Sequence, residues 1–150
     1  FLSNFVFVGN LKETINLGKK FAQKLNPQSI VLLQGPIGAG KTSFVKGIAE
    51  GLSISEHVTS PTFSLSNHYY SGTISLIHID LYRLDNSSAA QEFFLLEEQE
   101  ANQNEAILVI EWPQLIEPIL SNYWKIEISY SKNFGRNYKI FDPKNSLTLL

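Results

Sequence analysis

The chain has 150 residues, 43% of them hydrophobic and 17% charged, enough apolar material for one core and a composition that excludes intrinsic disorder. A formal charge of -2 excludes a global basic field, so any RNA is expected to be held by a partner, and no DNA partner is expected. Cysteine is absent, which excludes disulfides and thiol chemistry, and no apolar run is long enough to span a membrane. The chain opens on Phe1 rather than Met, with no basic segment leading an apolar one. The expectation is a cytoplasmic single domain over 1–150, short of a few leading residues.

In chain order, residues 5–8 read as a short strand. Asn10 with Glu13 forms a capping box, and Leu11, Ile15, Gly18, Ala22 and Leu25 recur at helical spacing, predicting a helix over roughly 11–25 that Asn26-Pro27 ends. Residues 29–33 are a continuous aliphatic run, the pattern of a strand buried on both faces. A glycine-rich loop follows, then a helix from 41 to about 52. Residues 58–70 suggest a loop and an edge strand, and 73–82 another strand after the Ser71-Gly72 turn. Ser88 with Gln91 is a capping box for an acidic helix over 89–101. Residues 106–110 form a short buried strand, and 123–130 and 138–141 alternate as an antiparallel pair around Phe134-Gly135. Strands alternating with helices, then antiparallel strands, predict a three-layer α/β fold with a mixed, partly antiparallel sheet.

Gly35-Pro36-Ile37-Gly38-Ala39-Gly40-Lys41-Thr42 satisfies G-x-x-x-x-G-K-[ST] between a predicted strand and helix, the context that pattern needs. Glycines let consecutive N–H groups turn inward as an anion nest, and the helix that starts there adds its N-terminal partial charge. Gly35, Gly38, Ala39, Gly40, Lys41, Thr42 and Ser43 are therefore the candidate phosphate-binding residues. Lys41 is a compact charge for outer phosphates and Thr42 a hydroxyl for Mg²⁺.

Leu76-Ile77-His78-Ile79-Asp80-Leu81-Tyr82-Arg83-Leu84 puts Leu76, His78, Asp80 and Tyr82 on one face of a strand. Asp80 reads as a metal-associated carboxylate or as a solvent-facing one on an edge strand. His78 reads first as a hydrogen-bonded structural residue, and Arg83 as a salt-bridge partner, for instance of Asp85. Thr62, after Pro61, reads as a turn residue or as a loop threonine that senses the γ-phosphate. Glu111, at the end of a buried strand, either positions a water or ligand or simply precedes Pro113. Trp112 is core, nucleotide wall or partner anchor. The dense acidic face of 92–100 reads as solvated, or as a docking face for a basic partner.

The loop GPIGAGKT, then SPTF, then HIDLYRL, then IEWP, together resemble the TsaE (YjeE) family over roughly residues 10–120. That family is the small ATPase of the bacterial machinery that makes threonylcarbamoyladenosine at position 37 of tRNA. The resemblance implies a P-loop NTPase-type domain that binds ATP and Mg²⁺ and works with the TsaB–TsaD heterodimer, touching tRNA only through that complex. It implies phosphate and metal roles for Lys41 and Thr42, a switch-like role for Thr62 and a metal-associated role for Asp80. Glu111 and Trp112 match a carboxyl–aromatic pair near the phosphates, with Glu111 a further candidate for catalysis and the metal. Arg136 looks like the family's basic residue near the C-terminus, a candidate nucleotide contact. Two departures stand out: Pro36 replaces an acid common in relatives, and 92–103 lacks a glycine often found there.

Two other function classes fit a phosphate-binding loop. A small-molecule kinase needs an acceptor pocket and usually an arginine-rich lid, and Arg83 and Arg136 are the only arginines. A GTP-dependent switch would carry an Asn-Lys-x-Asp segment, and there is none.

Overall fold

The computed structural model describes residues 4–61 and 63–150. The strands are β1 (Val6–Val8), β2 (Ile30–Gln34), β3 (Ser66–Tyr69), β4 (Leu76–Asp80), β5 (Ile107–Glu111), β6 (Trp124–Tyr130), β7 (Arg136–Phe141) and β8 (Leu147–Thr148). The helices are α1 (Leu11–Ala22), α2 (Lys41–Gly51) and α3 (Ser87–Asn104), with short 3-10 turns at Pro113–Leu115 and Glu117–Ile119. The described strands form one mixed sheet in the order β1-β7-β6-β2-β5-β4-β3, with β8 beside β7. The inner strands β6, β2, β5 and β4 run parallel, and β1, β3 and β7 pair antiparallel with their neighbours. Among the described residues no helix is long and apolar enough to cross a membrane.

The period of two in β2 divides the core. Val31 and Leu33 join the cluster beneath α1 and α2, whereas Leu32 joins the one beneath α3, all fully buried. β5 and β4 alternate in the same way, so helices cover both faces and the three-layer expectation holds. Each of these buried aliphatics contributes roughly 1.5–3 kcal/mol of hydrophobic stabilisation. Helices α1 and α2 meet at two glycines: a Cβ on Gly18 would sit 2.9 Å from Gly47 Cα, and one on Gly47 would sit 2.9 Å from Gly18 Cα. Neither position has room for a side chain.

Several predicted boundaries shift for local reasons. Helix α1 ends at Ala22, not 25, because Lys24 and Leu25 donate to carbonyls three residues back, tightening the last turn. Leu25 still packs into the core, so the apolar period outlasts the helix. Helix α3 starts earlier and ends later than 89–101. Its cap is Asn86, whose side chain accepts from Ala89 N at 3.0 Å, and Glu105 closes it in the left-handed conformation (φ 51°) without a glycine. Ser88 lies within the helix and does not cap it. The Asn10 cap is as expected, accepting from Glu13 N at 2.9 Å, while the Glu13 side chain reaches back to Gly9 N rather than to Asn10. Strand β4 is shorter than 73–82, and β3 rather than β4 is the edge, so Asp80 is not on an edge strand. The acidic side of α3 is not simply solvated: Glu97 accepts from Ser66 Oγ at 2.9 Å and pairs with His68 Nε2 at 2.7 Å, and Glu100 accepts from the Tyr70 hydroxyl.

Candidate functional site

The loop from Gly35 to Gly40 leaves the carboxyl end of β2 and delivers the chain into α2 at Lys41. Gly38 and Gly40 take positive φ values of 80° and 96°, which turn the main chain back on itself and which other residues adopt at a cost. The first bond of this turn into α2 runs from Phe44 N to Gly40 O at 3.0 Å. The N–H groups of Lys41, Thr42 and Ser43 precede it and have no carbonyl of the helix to bond. They are a ready anion site.

Lys41 is 7% exposed. Its ammonium donates to Gly35 O at 2.5 Å and Pro36 O at 3.2 Å and lies 4.0 Å from the centroid of the Trp112 ring. Burial pulls its pKa below the ordinary lysine value, with the carboxylates of Glu111 and Asp80 acting in opposition. Those carboxylates come from neighbouring parallel strands in direct register, Asp80 opposite Glu111. Asp80 Oδ1 accepts from Tyr82 N at 2.9 Å, and Glu111 Oε2 meets His78 Nε2 at 2.6 Å. Burial pushes the Asp80 carboxyl above its usual range and Glu111 adds to this, against the Tyr82 N–H bond, His78 and Lys41. Two acids therefore face one buried lysine, and among the described residues neither forms an ion pair with it.

Lys41, Thr42, Asp80, Glu111, Trp112 and Tyr82 border one cleft of about 420 Å³, in which the Tyr82 and Trp112 rings pack at 4.9 Å. Trp112 itself takes the left-handed backbone conformation, φ 55°, which sets its ring over Lys41. A second cleft of about 300 Å³ lies on the other side of the loop. Leu11, Phe134 and Arg136 border it, and Gly38, Ala39, Gly40 and Ser43 border both clefts. Ala39 is nearly fully buried within the loop, and Gly35 stands off both clefts, packed against Ile128 with its carbonyl holding Lys41.

Among the described residues no three His, Asp or Glu side chains converge to hold a metal ion by themselves. An ion here would lean on Thr42, Asp80 and the phosphates of a ligand, the usual arrangement for Mg²⁺. Thr62 lies outside the described residues. Arg83 forms no ion pair with Asp85 or any other described acid, contrary to expectation. Its guanidinium instead lies 5.0 Å from the centroid of Phe63, itself 86% exposed.

Arg136 donates to Gly38 O at 3.1 Å and to the carbonyls of Phe134 and Gly135, and it stacks 4.5 Å over Tyr130. Its donors hold the loop's main chain as well as bordering a cleft. Tyr130, which the sequence reading missed, donates from its hydroxyl to Ile37 O at 2.5 Å. The signal was faint: Tyr130 and Arg136 face each other in the register of the β6–β7 hairpin, but β7 starts at Arg136, two residues before the strand predicted over 138–141.

The family profile described as "Threonylcarbamoyl adenosine biosynthesis protein TsaE" matches residues 8–138. A tRNA threonylcarbamoyladenosine biosynthesis protein TsaE from a Nostoc species is 35% identical over 135 residues, 90% of this chain and 83% of that protein. One from Treponema pallidum is 40% identical over 112 residues, 75% and 80% of the two chains. The crystal structure of Bacillus subtilis YdiB superposes with a TM-score of 0.72 at 30% identity, covering 89% of this chain and 81% of that one.

Proposed function

The chain belongs to the TsaE family of threonylcarbamoyl adenosine biosynthesis proteins, and from that premise we propose that it is an ATP-binding and ATP-hydrolysing subunit. It works in the cytoplasm with the TsaB–TsaD heterodimer in making threonylcarbamoyladenosine on tRNA. The observation that carries this reading is the positive-φ glycine loop opening α2, with buried Lys41 set between its own loop carbonyls and the Asp80–Glu111 pair.

The loop fits a polyphosphate. Its N–H groups at 41–43 precede the first bond into α2, and Lys41 has only main-chain carbonyls and an aromatic face to leave. Phosphate oxygens can replace those two carbonyls as partners of the ammonium, at a site already short of water. Thr42 and Asp80 are the residues to hold Mg²⁺, which when bound would neutralise charge on the outer phosphate oxygens. Glu111 is the group to orient an attacking water, Trp112 closes the cleft beside it, and Thr62 keeps the switch role that the resemblance implies. The second cleft, with Leu11 and Phe134 at its rim, is the place for the base. Arg136 and Tyr130 act here by holding the loop in its anion-binding shape. Catalysis on this reading is positioning and charge neutralisation, and tRNA is held by the partners, in keeping with a net charge of -2.

The test is ATP hydrolysis by the purified protein with and without the TsaB–TsaD pair. We expect stimulation by the pair and a fall of about a hundredfold or more in Lys41→Ala. Equal rates with and without the pair, or an unchanged rate in Lys41→Ala, would overturn the reading. Transfer of the γ-phosphate to a metabolite rather than to water would replace it with a kinase.

A further inference from the structure

We propose that His78 is a positioning residue for Glu111, holding one carboxylate oxygen so that the other faces the cleft. The proposal rests on the role given above to Glu111, and it is carried by the geometry of two adjacent strands. His78 on β4 lies opposite Val109 on β5, one pleat behind the Asp80–Glu111 pair. Its ring is fully buried and Glu111 is 3% exposed, so their 2.6 Å contact is shielded from water. A hydrogen bond to an ionised carboxylate in such surroundings is among the stronger ones available to a side chain.

The ring is committed to this one contact. Nε2 meets Glu111, whereas Nδ1 is buried and has no partner among the described residues. That arrangement fits the tautomer with its proton on Nε2, donated to Glu111 Oε2. An aliphatic side chain would fill the same space without an unpaired buried atom, so packing alone does not account for a histidine at this position.

The need for such a clamp follows from the charges. Asp80 and Glu111 stand side by side, and each has a donor of its own: the Tyr82 N–H for Asp80 and the His78 ring for Glu111. Without His78, Glu111 is driven off by Asp80 and free to swing onto the Lys41 ammonium, which no described carboxylate now pairs with. His78 thereby keeps Glu111 in place and Lys41 available.

The experiment compares His78→Leu, His78→Asn, His78→Gln, Glu111→Gln and the double variant His78→Leu/Glu111→Gln, in ATP hydrolysis with the TsaB–TsaD pair. We expect kcat to fall about tenfold to a hundredfold in His78→Leu with KM nearly unchanged, the range seen when a group orienting a functional ligand is lost. His78→Gln, whose amide reaches the position of Nε2, recovers most of the rate. The double variant is no slower than Glu111→Gln alone. A wild-type kcat in His78→Leu, a His78→Gln variant as slow as His78→Leu, or losses that multiply in the double variant would each overturn the proposal. Should His78→Leu not fold, His78→Asn, whose amide is too short to reach Oε2, takes its place in both comparisons. Two readouts need no turnover: the ¹⁵N spectrum of the His78 ring, expected to show Nε2 protonated and to shift in Glu111→Gln, and a crystal structure of His78→Asn, expected to show Glu111 turned away. A wild-type protein without ATPase activity would sink the proposed function and leave these two to judge His78. A ring spectrum unmoved by Glu111→Gln, or an unmoved Glu111, would sink the clamp alone.

Discussion

The Lys41 ammonium is folded back onto the loop that precedes it, bonded to Gly35 O and Pro36 O and lying 4.0 Å from the Trp112 ring centroid. It is thus a buried charge held by dipoles and a π face, with its two carboxylate neighbours at longer range.

That placement separates stability from activity. Lys41→Met removes a charge that burial disfavours and leaves the carbonyls and the ring against an apolar chain of similar length. Thermal or urea unfolding of the free protein is expected to show it within about 1 kcal/mol of wild type or more stable, while complex-stimulated ATP turnover is lost. A clearly destabilised Lys41→Met variant would mean that the ammonium contacts hold the loop together.

The pH dependence of Asp80 has a definite sign. Its folded pKa lies above the ordinary 3.8, chiefly through burial, so the folded state takes up its proton more readily than the unfolded one. The resulting penalty is absent well below 3.8, grows as pH rises through the folded value and is complete at neutrality. Asp80→Asn is therefore expected to melt at a higher temperature than wild type at pH 7, with the gap closing as the pH is lowered towards 4. Melting curves across that range check it, and a gap that widens on acidification would reverse the sign.

Tyr130 and Arg136 fasten adjacent loop carbonyls, those of Ile37 and Gly38. Tyr130→Phe and Arg136→Ala each remove one fastening, worth about 1–2 kcal/mol of loop order, and each should weaken ATP affinity about tenfold. Because both act on one loop, the double variant should lose less than the product of the two. Calorimetric titration with a non-hydrolysable ATP analogue reads this directly, and full multiplicativity would mean that the two contacts act independently.

At the crossing of α1 and α2, Gly18→Ala and Gly47→Ala each push a methyl group into a backbone. Each is expected to destabilise by about 2–3 kcal/mol in denaturant titration, at the upper end for overpacking. A loss below about 0.5 kcal/mol in either would show that the crossing can open.

The site was legible wherever its chemistry is local. A phosphate nest needs glycines, a lysine and a hydroxyl at fixed offsets, and the positive-φ Gly38 and Gly40 stand where that pattern put them. The sheet was legible because β2 and β5 are short aliphatic runs buried on both faces. What was hidden depends on register and layer packing. Glu97 is an ordinary helix acid until β3 brings His68 beside it, and Arg83 looked like an ion-pair residue until Phe63 was found beneath it. His78 read as a hydrogen-bonded structural residue, and it is buried and bonded; what stayed hidden was its partner Glu111, 33 residues further on, which only parallel pairing of β4 and β5 brings within reach. The α3 cap moved from Ser88 to Asn86 because both residue types cap well and the flanking pattern did not choose between them.

Gly18 and Gly47 have a mechanical meaning beyond close fit. With no side chain between them, α1 and α2 cannot roll or slide past one another without driving main chain into main chain, so the pair behaves as one strut. Lys41 is rooted in the first turn of that strut and moves only as it moves. On the proposed reading, adjustment to a nucleotide would then fall to the thinner parts around it: the approach from Gln34 to Gly40, and the tip of the β6–β7 hairpin, whose Tyr130 and Arg136 hold it.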